Sequence, residues 1–420
     1  MIMRAIGVLL ISGAVGAGAI GAAVKMAPAP AMASVDHDWE RSRPGPDSGR
    51  VAILIDALGR TDPVVCELIA DQLGNFWWGG DRAGVGRLIG MPAPVQAAKD
   101  SIGGTITDSR AINRLVAELD GPNACTRRVA SKLLGNSNVG ASRLNSLLGD
   151  PSANVRESAA LAAGNGEHKD AKPALERALN DQSPAVAAMA AWALGEIEDR
   201  ASVPALLKLV RSGDARVRLS AIWALGQLED TRAVSDIVAT LRDPNPTIRE
   251  MSADVLGDFD KATDAVAPLE IALAGDANAK VRAEAAESLG NISSPTSGPA
   301  LGRALSDPDI GVRRAAAEAL GDLDELRTAP AGLVAALSAS DPELRYRAAK
   351  ALAEIRDPAT TQALIGILSS PDAELRKDAV EALGDIGNPS AVQAITNALK
   401  DSDPEVRKAA AEALGDIKEG

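Results

Sequence analysis

Metal binding, nucleophilic attack and proton transfer draw mostly on His, Cys and clustered carboxylates, and this sequence is sparing with the first two. Its only histidines are His37 and His168, and its only cysteines are Cys66 and Cys125. A zinc or iron site needs several such ligands close together, so no metal is expected. A Ser-His-Asp or Cys-His arrangement would have to recruit His37 or His168, and nothing near either resembles an activated nucleophile. His168, in "NGEHKDAKP", reads as a solvated loop residue. Gly16, Gly18 and Gly21 match G-x-G-x-x-G literally, but a dinucleotide site needs that motif between a strand and a helix. Here it lies in an apolar leader, so no cofactor is expected.

What remains is binding, and the aromatic residues mark where to look. The chain has five tryptophans, and two recur in nearly the same words: "MAAWALGEIED" at 189–199 and "SAIWALGQLED" at 220–230. These phrases are copies of a repeat. The last clear copy is "DPEVRKAAAEALGDI" at 403–417, and eight relatives precede it. The recurring Arg falls at Arg156, Arg218, Arg249, Arg282, Arg313, Arg345, Arg376 and Arg407, with Ala187 in the one missing place. Successive places are 31 to 33 residues apart.

Each phrase has the spacing of a helix buried along one face, as with Val406, Ala409, Ala410, Ala413 and Leu414. Asp-Pro pairs such as Asp403-Pro404 and Asp307-Pro308 are expected to cap the helix and begin its first turn. Gly321, Gly384 and Gly415 are expected to let the chain leave it. A second amphipathic stretch, such as "ASVPALLKLVRS", lies between phrases. The unit is therefore a helical hairpin that needs neighbours to bury its apolar sides. The fold class is all-α, an α-solenoid over 104–420. Hydrophobic residues make up 46% of the chain and aromatics only 2%, so the core must be Ala, Leu, Val and Ile.

Upstream the pattern weakens. "DGPNACTRRVASKLLG" carries Arg127, 29 residues before Arg156, and "TDPVVCELIADQLG" at 61–74 puts Cys66 in the Arg place. Residues 51–103 read as an irregular helical repeat with a Gly-rich, aromatic insertion. Phe76, Trp77 and Trp78 cap the first repeats in this reading, with a short helix from about Pro94 to Ile102. Residues 34–50 are a flexible lead-in. Residues 1–33 have the basic start, apolar run and Ala31-Met32-Ala33 site of a secretory signal peptide, cut after Ala33. The expected location is periplasmic or secreted, and an uncleaved N-terminal membrane anchor is the alternative. After cleavage no stable membrane span remains. In such an oxidising compartment Cys66 and Cys125 would pair and staple the start of the solenoid. Two buried thiols, a full repeat apart, are the other reading.

The balance of 44 Lys plus Arg against 57 Asp plus Glu gives a net charge of −13, which argues against a nucleic-acid partner.

The pattern D-P-x-V-R-x-A-A-x-A-L-G resembles the short HEAT-like repeats of phycobilisome bilin-lyase-type proteins. The N-terminal part is also reminiscent of the HEAT extensions of beta-lactam-sensor-like membrane peptidases, although no H-E-x-x-H peptidase motif is present. The first resemblance implies a stack of helical hairpins whose second helices line an inner surface. It also admits a bilin-lyase-like or other modifying enzyme, and the second admits a sensor or regulatory module. HEAT-like hydroxylases carry His-Glu pairs for iron, and this chain has no His-Glu dipeptide.

Counted from the recurring Arg, positions −1, +2, +3, +6 and +7 should be buried, and +1, +4 and +5 should point away. The +5 column runs Leu161, Trp192, Trp223, Asp254, Glu287, Glu318, Lys350, Glu381, Glu412. The expectation is an exposed apolar shelf of Trp192 and Trp223, extended by Leu161, Leu219 and Ile222, with an acidic track of Asp254, Glu287 and Glu318 beyond it. The alternative is that the indoles merely cover Ala-rich helices. The shelf suits a protein or peptide partner with a basic element. The recurring Arg residues are expected to form a structural ladder. Oligomeric state is not legible, beyond a dimer through the last helix, which ends without a polar cap.

Overall fold

The computed structural model describes residues 48–59, 105–259 and 262–419. The expected signal peptide, most of the expected lead-in, Cys66, and the insertion with Phe76, Trp77 and Trp78 lie outside these. The helix Ser48–Gly59 begins within the expected lead-in.

Downstream the chain alternates long and short helices. The long ones are Ala153–Asn165, Pro184–Glu196, Ala215–Leu228, Pro246–Asp258, Ala279–Ile292, Ile310–Gly321, Pro342–Ile355, Ala373–Ile386 and Pro404–Glu419. Each packs on the next, and most are preceded by a short helix of four to seven residues such as Lys172–Ala178 or Val392–Ala398. The outer helix Thr263–Gly275 is longer, at 13 residues, where the repeat itself lengthens. The one β feature among the described residues is an isolated bridge between Ile106 and Ser137. One continuous Ala/Leu-rich core runs from Leu148 to Ala413. In the Ala215–Leu228 helix, Val217, Ser220, Ala221, Ala224 and Leu225 are all buried, the five positions expected from helical periodicity.

Caps follow the short polar side chains. Asp214 accepts from the Arg216 amide, Asn278 from that of Lys280, and Asp403 from that of Glu405. The Asp307-Pro308 expectation is corrected. The helix starts at Ile310 and Asp309 is its cap, which frees Asp307 for another task.

The glycine expectation is corrected as well. Gly321 is the last residue of its helix, but Gly384 and Gly415 lie inside theirs, and the repeated Gly stands where the next long helix approaches. A Cβ on Gly384 would stand 2.6 Å from Ala413 Cβ, and one on Gly290 would stand 2.8 Å from Ala319 Cα. The chain leaves the helix through a left-handed residue about three positions later: Glu198, Glu229, Ser293, Arg356 or Gly387. Most of these are not glycine, so the sequence carries no Gly signal at the true turn.

Candidate partner-binding face

The +5 column changes character along the stack. Trp192 and Trp223 stack on each other, with ring centroids 6.3 Å apart and planes inclined by 24°. They are not an exposed shelf. Trp192 is 6% exposed and Leu161 4%, while Ile222 is fully buried; only Trp223 and Leu219 are half-buried. The cause is the repeated glycine. A Cβ on Gly164 would stand 2.6 Å from Trp192 Cζ3, and one on Gly195 would stand 2.8 Å from Trp223 Cζ3. Each indole therefore folds back across the Gly of the preceding helix, filling the groove that the missing side chain leaves, and Trp223 then covers Trp192. Helical periodicity assigned the correct face; it could not foresee that a large side chain bends into a gap supplied by another repeat. Beyond the indoles Asp254 is half-buried, and Glu287, Glu318, Lys350, Glu381 and Glu412 are exposed in register, one per repeat.

The recurring Arg residues tie each turn to the next repeat. Arg218 donates to the Ser212 carbonyl at 2.7 Å and pairs with Asp243 at 2.8 Å. Arg156 pairs in the same way with Asp181 at 2.7 Å, Arg249 with Asp276 at 2.6 Å, Arg282 with Asp307 at 2.8 Å and Arg376 with Asp401 at 2.6 Å. The same aspartates receive a backbone amide two residues on, as Asp243 does from Asn245 and Asp401 from Asp403. Arginine hydrogen bonding holds Asp401 down at about 2. Where Ala339 replaces the acid, Arg313 keeps only its carbonyl bonds. The adjacent Arg314 then reaches the cap Asp341 at 2.5 Å, lowering that carboxyl to about 2. Where Ser370 replaces the acid, Arg345 moves to Asp372, two residues later. Arg407 donates to the Asp401 and Ser402 carbonyls.

Of the opposite charges four residues apart on the long helices, not all pair locally. Arg314 bonds Asp341 instead of Glu318, and Glu318 is taken by Arg347. Lys377 pairs with Glu374 at 3.0 Å, not Glu381, whereas Lys408 and Glu412 do pair, at 3.9 Å. His168 is not simply solvated: its Nε2 stands 3.2 Å from the Gly135 carbonyl in the preceding repeat. Two acids on the long helices are pushed up by burial: Glu196 to about 6, near Glu167 and Glu198, and Asp378 to about 6 despite Lys377. Cys125 lies in the first turn of the helix Ala124–Gly135 and is not a free thiol. Among the described residues no group of three or more His, Cys, Asp or Glu stands close enough to hold a metal. None of the described helices is long and apolar enough to cross a membrane.

Stacked hairpins, an Arg–Asp ladder between turns and a glycine at most long-helix contacts define an α-solenoid. The chain belongs to the HEAT repeats family, which matches residues 140–217, 203–274, 266–331 and 367–419. The PBS lyase HEAT-like repeat matches residues 344–370. An engineered protein whose crystal structure came from the Northeast Structural Genomics Consortium is 24% identical. It covers 74% of this chain and 99% of its own, with a TM-score of 0.46. No curated protein matches the sequence.

Proposed function

We propose that the chain is a non-catalytic, protein-binding scaffold of the cell envelope that holds a partner on its long-helix face. The observation that carries this reading is the register of that face: half-buried Trp223 and Leu219 are followed by Asp254, Glu287 and Glu318 at one acid per repeat. A rigid row of this kind offers an aromatic anchor beside a charge track about 10 Å per step, the spacing of packed helices. Trp192 and Leu161 support the anchor from below. The acidic track favours a basic element in the partner, which would compete with Arg347 for Glu318.

The test is a capture from the source cell's extracytoplasmic fraction with the chain from Ser34 onward. Wild type is compared with Trp223→Leu and with Glu287→Lys, Glu318→Lys, all verified as folded by circular dichroism. A partner retained by wild type and lost by these variants supports the reading. Equal capture by all three removes this face from consideration. N-terminal sequencing of the exported protein checks the signal peptide, with Ser34 as the expected first residue.

A further inference from the structure

Two devices recur where one long helix of the stack meets the next: the ladder acid fastens the turn, and the repeated glycine admits the neighbouring helix. In the ladder pairs the arginine donates through both Nε and Nη2, as Arg218 does to Asp243 and Arg376 to Asp401. The acids of these pairs are only 8% to 14% exposed. Where one device is missing, the other remains. Ala187 and Ser212 leave the contact between Pro184–Glu196 and Ala215–Leu228 without a ladder pair, but Gly195 and the stacked indoles are present. Ala339 removes the acid between Ile310–Gly321 and Pro342–Ile355, but a Cβ on Gly321 would still stand 3.1 Å from Ala351 Cα.

The contact between Pro342–Ile355 and Ala373–Ile386 lacks both, alone among the described long helices. Ser370 stands in the acid's place, and Ala353 follows Arg345 where Gly321 follows Arg313 and Gly384 follows Arg376. Arg345 reaches Asp372 through Nη2 only, and that carboxylate is 37% exposed. An ion pair so open to water adds little. The methyl of Ala353, packed against the core, takes the space that glycine leaves free at the other contacts. A cavity of about 440 Å³ opens at the same place, with Leu337 and Ala339 on one side and Ile367 and Ser370 on the other.

We infer that this contact is the hinge of the solenoid, about which the arm of residues 373–419 turns against the stack before it. Repeats in such a stack touch only their neighbours, so no distant contact braces a loose junction, and motion collects where the fastening is weakest. The cavity gives the two turns room to slide past each other. The consequence lies on the long-helix face. Glu287 and Glu318 stand before the hinge and Glu381 and Glu412 beyond it, so the motion changes the spacing between two halves of one column. That lets the face close on a bound segment. The hinge stands on packing alone and would survive failure of the scaffold reading.

Double electron–electron resonance on the full chain from Ser34 onward tests it. Spin labels go on unnatural residues replacing the exposed Lys208, Arg303 and Lys400, taken in two pairs. Lys208 with Arg303, and Arg303 with Lys400, each span three repeats, roughly 30 Å. The distance distribution across the hinge, from Arg303 to Lys400, should be about twice as wide as the one within the stack. Ala353→Gly combined with Ser370→Asp supplies both missing devices and should narrow it to the width of the internal pair. Ser370→Asp alone changes a residue outside any helix and should narrow it in part, which keeps the test valid should Ala353→Gly weaken its helix. Equal widths for the two pairs in the wild type, or a width across the hinge that neither variant changes, overturn the inference.

Discussion

Replacing Trp192 by Ala should open the stack locally, and more so than replacing Trp223. An indole buried to the extent of Trp192 hides ~200 Å² of apolar surface, which at ~25 cal/mol per Å² sets a ceiling of about 5 kcal/mol. Partial collapse of the groove over Gly164 brings the expected loss to about 3 to 4 kcal/mol. Trp223 is half-buried, and its loss should cost roughly half as much. A solenoid does not unfold as one unit, so the appropriate assay is hydrogen exchange resolved by mass spectrometry along the chain. Amides in Ala153–Asn165 and Pro184–Glu196 should exchange roughly a hundredfold faster in Trp192→Ala. Those in Pro404–Glu419, several repeats away, should be unchanged. Combining both substitutions should give a coupling of about 0.5 to 1.5 kcal/mol for the stacked rings. Unaltered exchange over Ala153–Asn165 in Trp192→Ala, or a larger effect from Trp223→Ala, would refute the packing role derived for Trp192.

Gly195→Ala places a methyl 2.8 Å from Trp223 Cζ3 and 2.9 Å from Ala224 Cα. About 1 kcal/mol of gained helix propensity should therefore be outweighed by overpacking, with a shifted tryptophan emission maximum, whereas Gly213→Ala, which meets nothing within 4 Å, should be silent in both urea midpoint and fluorescence. Asp243→Asn should cost about 2 kcal/mol in urea unfolding, because it leaves the largely buried Arg218 without its anion, while Asp214→Asn, whose partner Arg216 is mostly exposed, should cost under about 1 kcal/mol. Stability should peak in mildly acidic solution. Glu196 and Asp378 have raised values near 6, so the folded state binds protons more readily and gains stability as the pH falls from about 7 to 5. Asp341 and Asp401 are lowered to about 2, and their contribution, full above about 4, is lost as the pH falls through that range, which thermal melts from pH 7 to pH 2 would follow. Non-reducing peptide mapping should find Cys125 joined to Cys66 in one linked fragment that separates on reduction; two free thiols would count against that pairing.

Local regularity made much of the fold legible. Repetition of one phrase fixes the helix period, and Ala-rich faces admit close helix approach only in a stack, so the solenoid and its buried positions could be read from residues such as Val217, Ala221 and Leu225. The Arg ladder was legible as a column, but its partners were not, since Asp243 and Asp307 meet Arg218 and Arg282 across a repeat boundary that sequence spacing alone does not measure. Tertiary structure decided the exposure of Trp192 and the role of the glycines together, because a groove over Gly164 exists only once two helices are side by side. It also decided the fate of the Arg127 place: the repeat is two residues shorter there, and although Asp150 stands in the place of the ladder acid, Arg127 makes no ion pair among the described residues and keeps its bond to the Gly121 carbonyl.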